Sequence, residues 1–278
     1  MEASPLGIIA GGGDLPLAIA ESARETGRSV FVLALTGAAD AWVETHAHEW
    51  ISLGEVGKAI RVLRAAQVTE LVLAGKLGRP KFHEVKLDAK GVLAAPRIIA
   101  AARKGDDALL RSVLELMERE GFRAVGSAEA APGLLAPAGV MGRKQPTRDD
   151  EEDIALAFRI VRTMGALDIG QAAVVCDGLT LAVEAAEGTD AMIARVGTLS
   201  DHIRGAPQKR RGTLVKAPKP TQDRRADLPV IGVQTVRNAA AVGLAGIAVE
   251  ARGALILKRR EVVEEADKLG LFLVGVPG

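Results

Sequence analysis

The chain has 278 residues, 48% of them hydrophobic, and its 36 Lys and Arg nearly cancel 35 Asp and Glu for a formal net charge of +1. That length suits one large or two medium domains, with ample apolar side chains for cores. The balanced charge excludes a global field that would recruit nucleic acid or an anionic membrane, and with no Tyr and 3% aromatics the chain lacks the stacking platforms of a single-strand binder. No nucleic-acid partner is expected. Cys176 is the only cysteine, so an intrachain disulfide and a zinc-thiolate cluster are ruled out. Its setting, AAVVCDG, is that of a small buried hydrophobe. MEASPLGIIAGGGD lacks the basic flank and long apolar core of a signal peptide, and no apolar run reaches the ~20 residues that span a bilayer. A soluble, cytoplasmic protein is expected.

In chain order, LGIIA (6–10) reads as a strand, LPLAIAESARETG as a helix closed by Gly27, and SVFVLAL as a second strand. VGKAIRVLRAAQ and ELVLAG (70–75) repeat the helix-then-strand cycle. This rhythm predicts a parallel sheet flanked by helices. PRIIAAARKGDDALLRSVLELMEREG is largely helical and FRAVGS a closing strand. AAPGLLAPAGVMGRKQPT is rich in Gly and Pro and reads as a linker, after which DDEEDIALAFRIV opens a helix as the helix dipole favours. QAAVVCDG and TLAVEAA predict a hairpin about Asp177-Gly178, TDAMIARVGTL a helix capped by Thr189, and GTLVKAP a strand. Helix then strand (VQTVRNAAAVGLAGIAVEA) and strand, helix, strand (ALILKRREVVEEADKLGLFLVGV) complete the chain. The expected architecture is two α/β domains. A Rossmann-like N-terminal domain with a parallel sheet (1–131) joins through a Pro/Gly-rich linker (132–149) to a C-terminal α/β catalytic domain (150–278), with a small ligand in the cleft between them.

Five stretches could carry chemistry. IIAGGGDLP sets Gly11, Gly12, Gly13 and Asp14 between a strand and a helix, where backbone amides can approach a phosphate. Pro16 occupies the third glycine place of the dinucleotide fingerprint, so that match fails, and the simpler alternative is a tight turn capped by Asp14. LAGKLGRP would bring Lys76 and Arg79 to the same sheet edge, or leave them as solvated cations. Asp106 and Asp107 in RKGDDALLR cap a helix or hold a divalent cation or ribose hydroxyls. Gln171, Glu184, Glu187, Gly188, Thr189 and Asp190 fall in a hairpin-then-helix unit suited to an anionic sugar phosphate, with capping again the competing explanation. KAPKPTQDRRADLPVIGVQT (216–235) crowds Lys216, Lys219, Arg224 and Arg225 around Asp227, on backbone stiffened by prolines. A carboxylate among cations stays ionised, which makes Asp227 a candidate magnesium ligand or water-orienting group; a structural ion-pair loop is the alternative. HExxH, GxSxG and the calcineurin-like GD…GN[HE] are all missing, so hydrolysis would be metal-assisted through carboxylates.

GIIAGGGDLP, LAGKLGRP, AARKGDDALLR, DIGQAAVVCDGLTLAVEAAEGTDAM and KAPKPTQDRRADLPVIGVQT, in this order, together resemble one bacterial family over essentially the whole chain. It is the UDP-2,3-diacylglucosamine pyrophosphatase family found in alphaproteobacteria and other bacteria lacking the calcineurin-like isofunctional enzyme. The resemblance implies Mg2+-dependent hydrolysis of UDP-2,3-diacylglucosamine to 2,3-diacylglucosamine 1-phosphate (lipid X) and UMP, a step of lipid A biosynthesis, with water attacking the sugar-side phosphorus. It also implies two α/β domains with substrate between them, a homodimer and possible peripheral contact with the inner membrane. Activity would hinge on Asp227, with Asp223 the poorer candidate because the family often has another residue there. Lys216, Lys219 and Arg225 would stabilise the leaving UMP or the equatorial oxygens, while Gln222 and Thr235 fall in the same stretch as substrate-binding candidates. A nucleotide-sugar binding protein or transferase using the same glycine turn and basic loop is the alternative. An NAD-dependent oxidoreductase is disfavoured by the absent third glycine and by the lack of an acidic residue ending SVFVLAL.

Overall fold

The computed structural model describes residues 4–77, 85–220 and 223–278, and its contacts divide the chain into two units. One is Met1–Gly133 together with Asp223–Asp227; the other is Leu134–Gln222 together with Leu228–Gly278.

The first unit runs β1 (Leu6–Ala10), α1 (Asp14–Glu25), β2 (Val30–Leu35), β3 (Ala47–Ile51), α2 (Val56–Ala65), β4 (Glu70–Ala74), α3 (Ala89–Ala102), α4 (Asp106–Arg119), β5 (Arg123–Ala124) and a short α5 (Ser127–Ala130). Its five strands are all parallel in the order β3-β2-β1-β4-β5, the Rossmann-like arrangement. The order reverses between β1 and β4, and open α/β sheets take their ligands at the carboxyl ends of the strands flanking such a reversal. Leu33, Leu35, Ile51, Leu71 and Leu73 bury one face of the sheet against Ile60 and Leu63 of α2 and Leu114 and Met117 of α4. The sequence pattern misses β3, because AHEWI carries two polar side chains and only Ile51 is buried. Its pairing with β2 at the sheet edge organises it instead.

The second unit contains β6 (Gly139–Val140), α6 (Arg148–Ala166), β7 (Ala172–Cys176), β8 (Leu179–Val183), α7 (Thr189–Val196), α8 (Asp201–Arg204), β9 (Gly205–Ala206), β10 (Lys209–Arg210), β11 (Thr213–Lys216), β12 (Val230–Ile231), α9 (Val233–Ala241), β13 (Gly246–Glu250), β14 (Leu255–Ile256), α10 (Arg259–Leu269) and β15 (Phe272–Val276). Its main sheet is mixed, in the order β6-β15-β13-β11-β7-β8. Alternate residues face opposite ways along each strand. Val174, Leu214, Ile247 and Leu273 thus pack with side chains of α7, α9 and α10, while Val175, Val215, Ala248 and Phe272 pack on Ile154, Phe158 and Val161 of α6. Within the expected linker, β6 pairs with β15.

The expected hairpin turns at Asp177 (φ 50°) and Gly178 (φ 76°), both left-handed as a two-residue hairpin requires. The Asp153 carboxylate on α6 accepts both turn amides, at 2.9 and 2.7 Å. Burial pushes the Asp153 carboxyl up from the ordinary range, and those two donors oppose the shift. The expected caps are displaced by one residue. Asp14 and Thr189 are the first residues of their helices, and the caps are Gly13 (φ 87°) and Gly188 (φ 80°). A left-handed φ at the cap selects glycine and leaves the polar neighbour free for another role.

Candidate active site

The glycine turn closes the β1–β4 reversal. Gly11 N–H donates to Ala74 O at 2.8 Å, Gly12 N–H to Lys76 O at 2.8 Å, and Gly13 N–H to the Asp40 carboxylate at 2.9 Å. All three amides therefore have partners within the chain, those of Gly11 and Gly12 on the backbone and that of Gly13 on the exposed Asp40 carboxylate. The run exists for close backbone approach: a Cβ on Gly11 would lie 2.5 Å from Lys76 O. Lys76 does share that edge, pairing back to back with Gly12, and its side chain is exposed. Asp14 is exposed at the start of α1. Arg79 lies outside the described residues.

Asp107 lies in the first turn of α4, whose cap is Gly105; the Asp106 side chain is outside the described set. Asp107 pairs with Arg111 one turn along the helix, and its other oxygen accepts the Asp223 amide at 3.2 Å. It therefore anchors a loop in addition to serving the helix start. The anchored strip, Asp223–Asp227, belongs to the first unit although the chain on either side belongs to the second. Arg225 bonds Asp223 at 2.8 Å and Glu118 of α4 at 2.6 Å. The Arg225 guanidinium holds the Asp223 carboxyl below the usual range, and Asp223 in turn raises Arg225. Ala226 is buried in the apolar cluster of the first sheet, and a Cβ on Gly126 would meet the Arg225 backbone at 3.0 Å. Asp227 follows this turn, half-buried.

The other half of the loop stays with the second unit. Lys216 ends β11 only 5% exposed, and its ammonium donates to Thr189 Oγ1 at 2.7 Å and Val230 O at 3.3 Å. Thr189 donates onward to Glu184 at 2.6 Å, and the second Glu184 oxygen accepts the Gln171 amide at 3.1 Å. Burying a charge costs several kcal/mol unless it is paired and hydrogen-bonded, and this relay supplies the compensation. The Gln171 side-chain oxygen is buried with no hydrogen-bond donor among the described residues. Lys219 is ion-paired to Asp168.

Of the remaining candidates, Glu187 pairs with Arg195 at 2.7 Å, Asp190 accepts from Asn238 at 2.9 Å, and Thr235 accepts the Gly232 amide at 3.3 Å. The Gly188 amide donates to Ala185 O, so it offers no free nest. Gln222 is outside the described residues. The structure gathers Lys216, Thr189 and the Gln171 backbone amide along Glu184, whereas Glu187 and Asp190 turn to other partners. The sequence reading misses Glu118, Asp168 and Asn238, each of which acts through a residue distant in the chain. Of the loop's expected cations, Lys219 and Arg225 are each matched by protein carboxylates, as in the ion-pair alternative. Among the described residues, no three His, Cys, Asp or Glu side chains gather as a metal cage.

A family model described as the LpxI N-terminal domain matches residues 5–134, and one described as the LpxI C-terminal domain matches residues 137–274. The chain belongs to the LpxI family. The UDP-2,3-diacylglucosamine pyrophosphatase LpxI of Caulobacter vibrioides is 46% identical over 271 residues, covering 98% of this chain and 97% of that protein. Both units therefore fall inside the LpxI likeness, and the two-domain α/β architecture is that of the family. No helix of the described residues is long and apolar enough to cross a membrane.

Proposed function

We propose that the chain hydrolyses the pyrophosphate bond of UDP-2,3-diacylglucosamine, releasing 2,3-diacylglucosamine 1-phosphate and UMP, a step of lipid A biosynthesis. The observation that carries this is the end-to-end likeness to a pyrophosphatase acting on that compound. Asp227 is the reacting carboxylate: it orients the attacking water and accepts hydrogen bonds from it as the sugar-side phosphorus is approached. Phosphoryl transfer depends chiefly on positioning and charge stabilisation. Asp107, Glu118 and buried Ala226 supply the positioning by fixing the strip that carries Asp227.

The donor set fits magnesium. Magnesium binds through one or two carboxylates together with substrate phosphate oxygens and water, so it needs no protein cage. Asp227 supplies a carboxylate of that kind, and the bound ion would neutralise charge developing on the pyrophosphate. Lys216, buried and already oriented by Thr189, is the cation that stabilises the leaving phosphate, and the unpartnered Gln171 oxygen accepts a substrate hydroxyl. Lys219 and Arg225 act as positioning residues through their carboxylate partners. The enzyme works as a homodimer in the cytoplasm, touching the inner membrane peripherally to reach its lipid substrate.

Incubation of the protein with UDP-2,3-diacylglucosamine, with and without a chelator, tests the reaction. UMP appears only when magnesium is available, and in 18O-water the label enters the sugar 1-phosphate. Unchanged UMP release in the chelator, or label in UMP, would overturn the corresponding part of the proposal.

A further inference from the structure

Glu184 follows the last residue of β8 and is buried in the second unit, 6% exposed. Its backbone is clamped: the Glu184 amide donates to Ala172 O at 2.9 Å, and a Cβ on Gly170 would lie 2.1 Å from Glu184 O. Both carboxylate oxygens are taken by neutral donors, one by the Thr189 hydroxyl at 2.6 Å and the other by the Gln171 amide at 3.1 Å. A carboxylate buried against neutral donors is costly where an uncharged side chain could fill the same space. What the charge does is visible one hydroxyl further on, at Lys216.

We infer that Glu184 is a positioning residue for the reaction: it fixes the proton of the Thr189 hydroxyl, and thereby the direction in which Lys216 holds its ammonium for the leaving phosphate. The inference rests on the role of Lys216 in the hydrolase reading above. Donor and acceptor chemistry determines the order of the relay. An ammonium only donates, an ionised carboxylate only accepts, and a hydroxyl has a single proton to direct. Lys216 Nζ lies 2.7 Å from Thr189 Oγ1, so Thr189 accepts there and points its own proton at Glu184. The relay from Lys216 through Thr189 to Glu184 thus has one proton arrangement. Its outer members are set by the fold, because Thr189 opens α7 and Lys216 closes β11, and Val230 O accepts a second ammonium proton at 3.3 Å. Two acceptors of fixed direction hold the tip of a flexible four-carbon side chain in one orientation before substrate arrives. An amide cannot take over this role. In Glu184→Gln the side chain has one oxygen and one NH2 group, so it accepts from Thr189 or from the Gln171 amide but not from both.

The test reads UMP release from UDP-2,3-diacylglucosamine in the presence of magnesium. Glu184→Gln should lower kcat about 20-fold and leave KM within about threefold. Thr189→Val, which removes the hydroxyl and leaves the carboxylate in place, should lose about as much. Thr189→Ser, which keeps the hydroxyl, should stay within about threefold of the wild type. In the Lys216→Ala background the further loss from Glu184→Gln should fall below about threefold, because the group it positions is gone. A side chain that only stabilised the fold would neither separate kcat from KM nor be silenced by removing Lys216. Thermal melting checks that each variant is folded, and the two Thr189 variants keep the test decisive if Glu184→Gln is not. Wild-type kcat in folded Glu184→Gln or Thr189→Val, or an undiminished further loss in the Lys216→Ala background, would overturn the proposal. Full activity of Lys216→Ala would instead sink the leaving-group role on which the inference rests.

Discussion

At one end of the charged loop, Lys216 closes a strand of the second unit, almost wholly buried, and passes its hydrogen bonds through Thr189 to Glu184. At the other end, Asp227 follows a turn sunk into the apolar core of the first unit and tied to α4 by Asp107 and Glu118. The first half is ordered by burial of a charge, the second by burial of an alanine with charges clasped around it. Residues adjacent in sequence are therefore held by different parts of the molecule. On the proposed reading their cations serve different ends: Lys216 acts on the substrate, while Arg225 fastens the strip to Glu118.

That contrast orders the expected effects. Asp227→Ala should fold and bind substrate, measured by calorimetry, yet lose about 10⁴-fold or more in kcat, read as UMP release. Lys216→Ala should lose about 10² in kcat, whereas Lys219→Ala, which removes a partner of Asp168, should lose less than about threefold. Comparable losses from the two lysines would erase the distinction between chemical and structural cations. Glu118→Gln should lower kcat about five- to tenfold with KM nearly unchanged, because it loosens the strip without touching substrate.

The smallest effect concerns pH. Asp223 titrates below an ordinary aspartate because of Arg225, so this pair stabilises docking above the unfolded value of about 3.9 and loses that contribution as pH falls through the lower folded value. Hydrogen-exchange protection of the Asp223–Asp227 amides, corrected for intrinsic rate, should stay constant from pH 8 to about pH 5. Loss of protection between those values would show that another group controls the strip.

The sequence made the first sheet legible because its inner strands are buried runs of Leu, Ile and Val bounded by glycine, and the Asp177-Gly178 hairpin legible because both turn residues tolerate left-handed φ. The edge strand around His48 was not, since its order comes from β2 and not from its own side chains. Within the site, Thr189 and Lys216 could be singled out, but the relay from Lys216 through Thr189 to Glu184 required knowing that β8 returns beside β7. The attachment of Asp223–Asp227 to α4 left no local trace. Glu118 reads as one more acidic residue on a solvated helix, and nothing in RRAD shows that its alanine enters a core. The glycine run has a packing role that its sequence does not show: the Gly11 and Gly12 amides close the protein's own backbone at the end of the sheet.

The central claim is that Asp227 works while its strip is docked on the first unit. Ala226→Asp, which puts a charge in the apolar cluster of the first unit, should undock the strip. In the folded variant, checked by thermal melting, the account predicts that hydrogen-exchange protection of the Asp223–Asp227 amides collapses and UMP release falls about 10²-fold or more. Unchanged UMP release from a variant whose strip amides have lost protection would contradict it, since the reaction would then not need the docked strip.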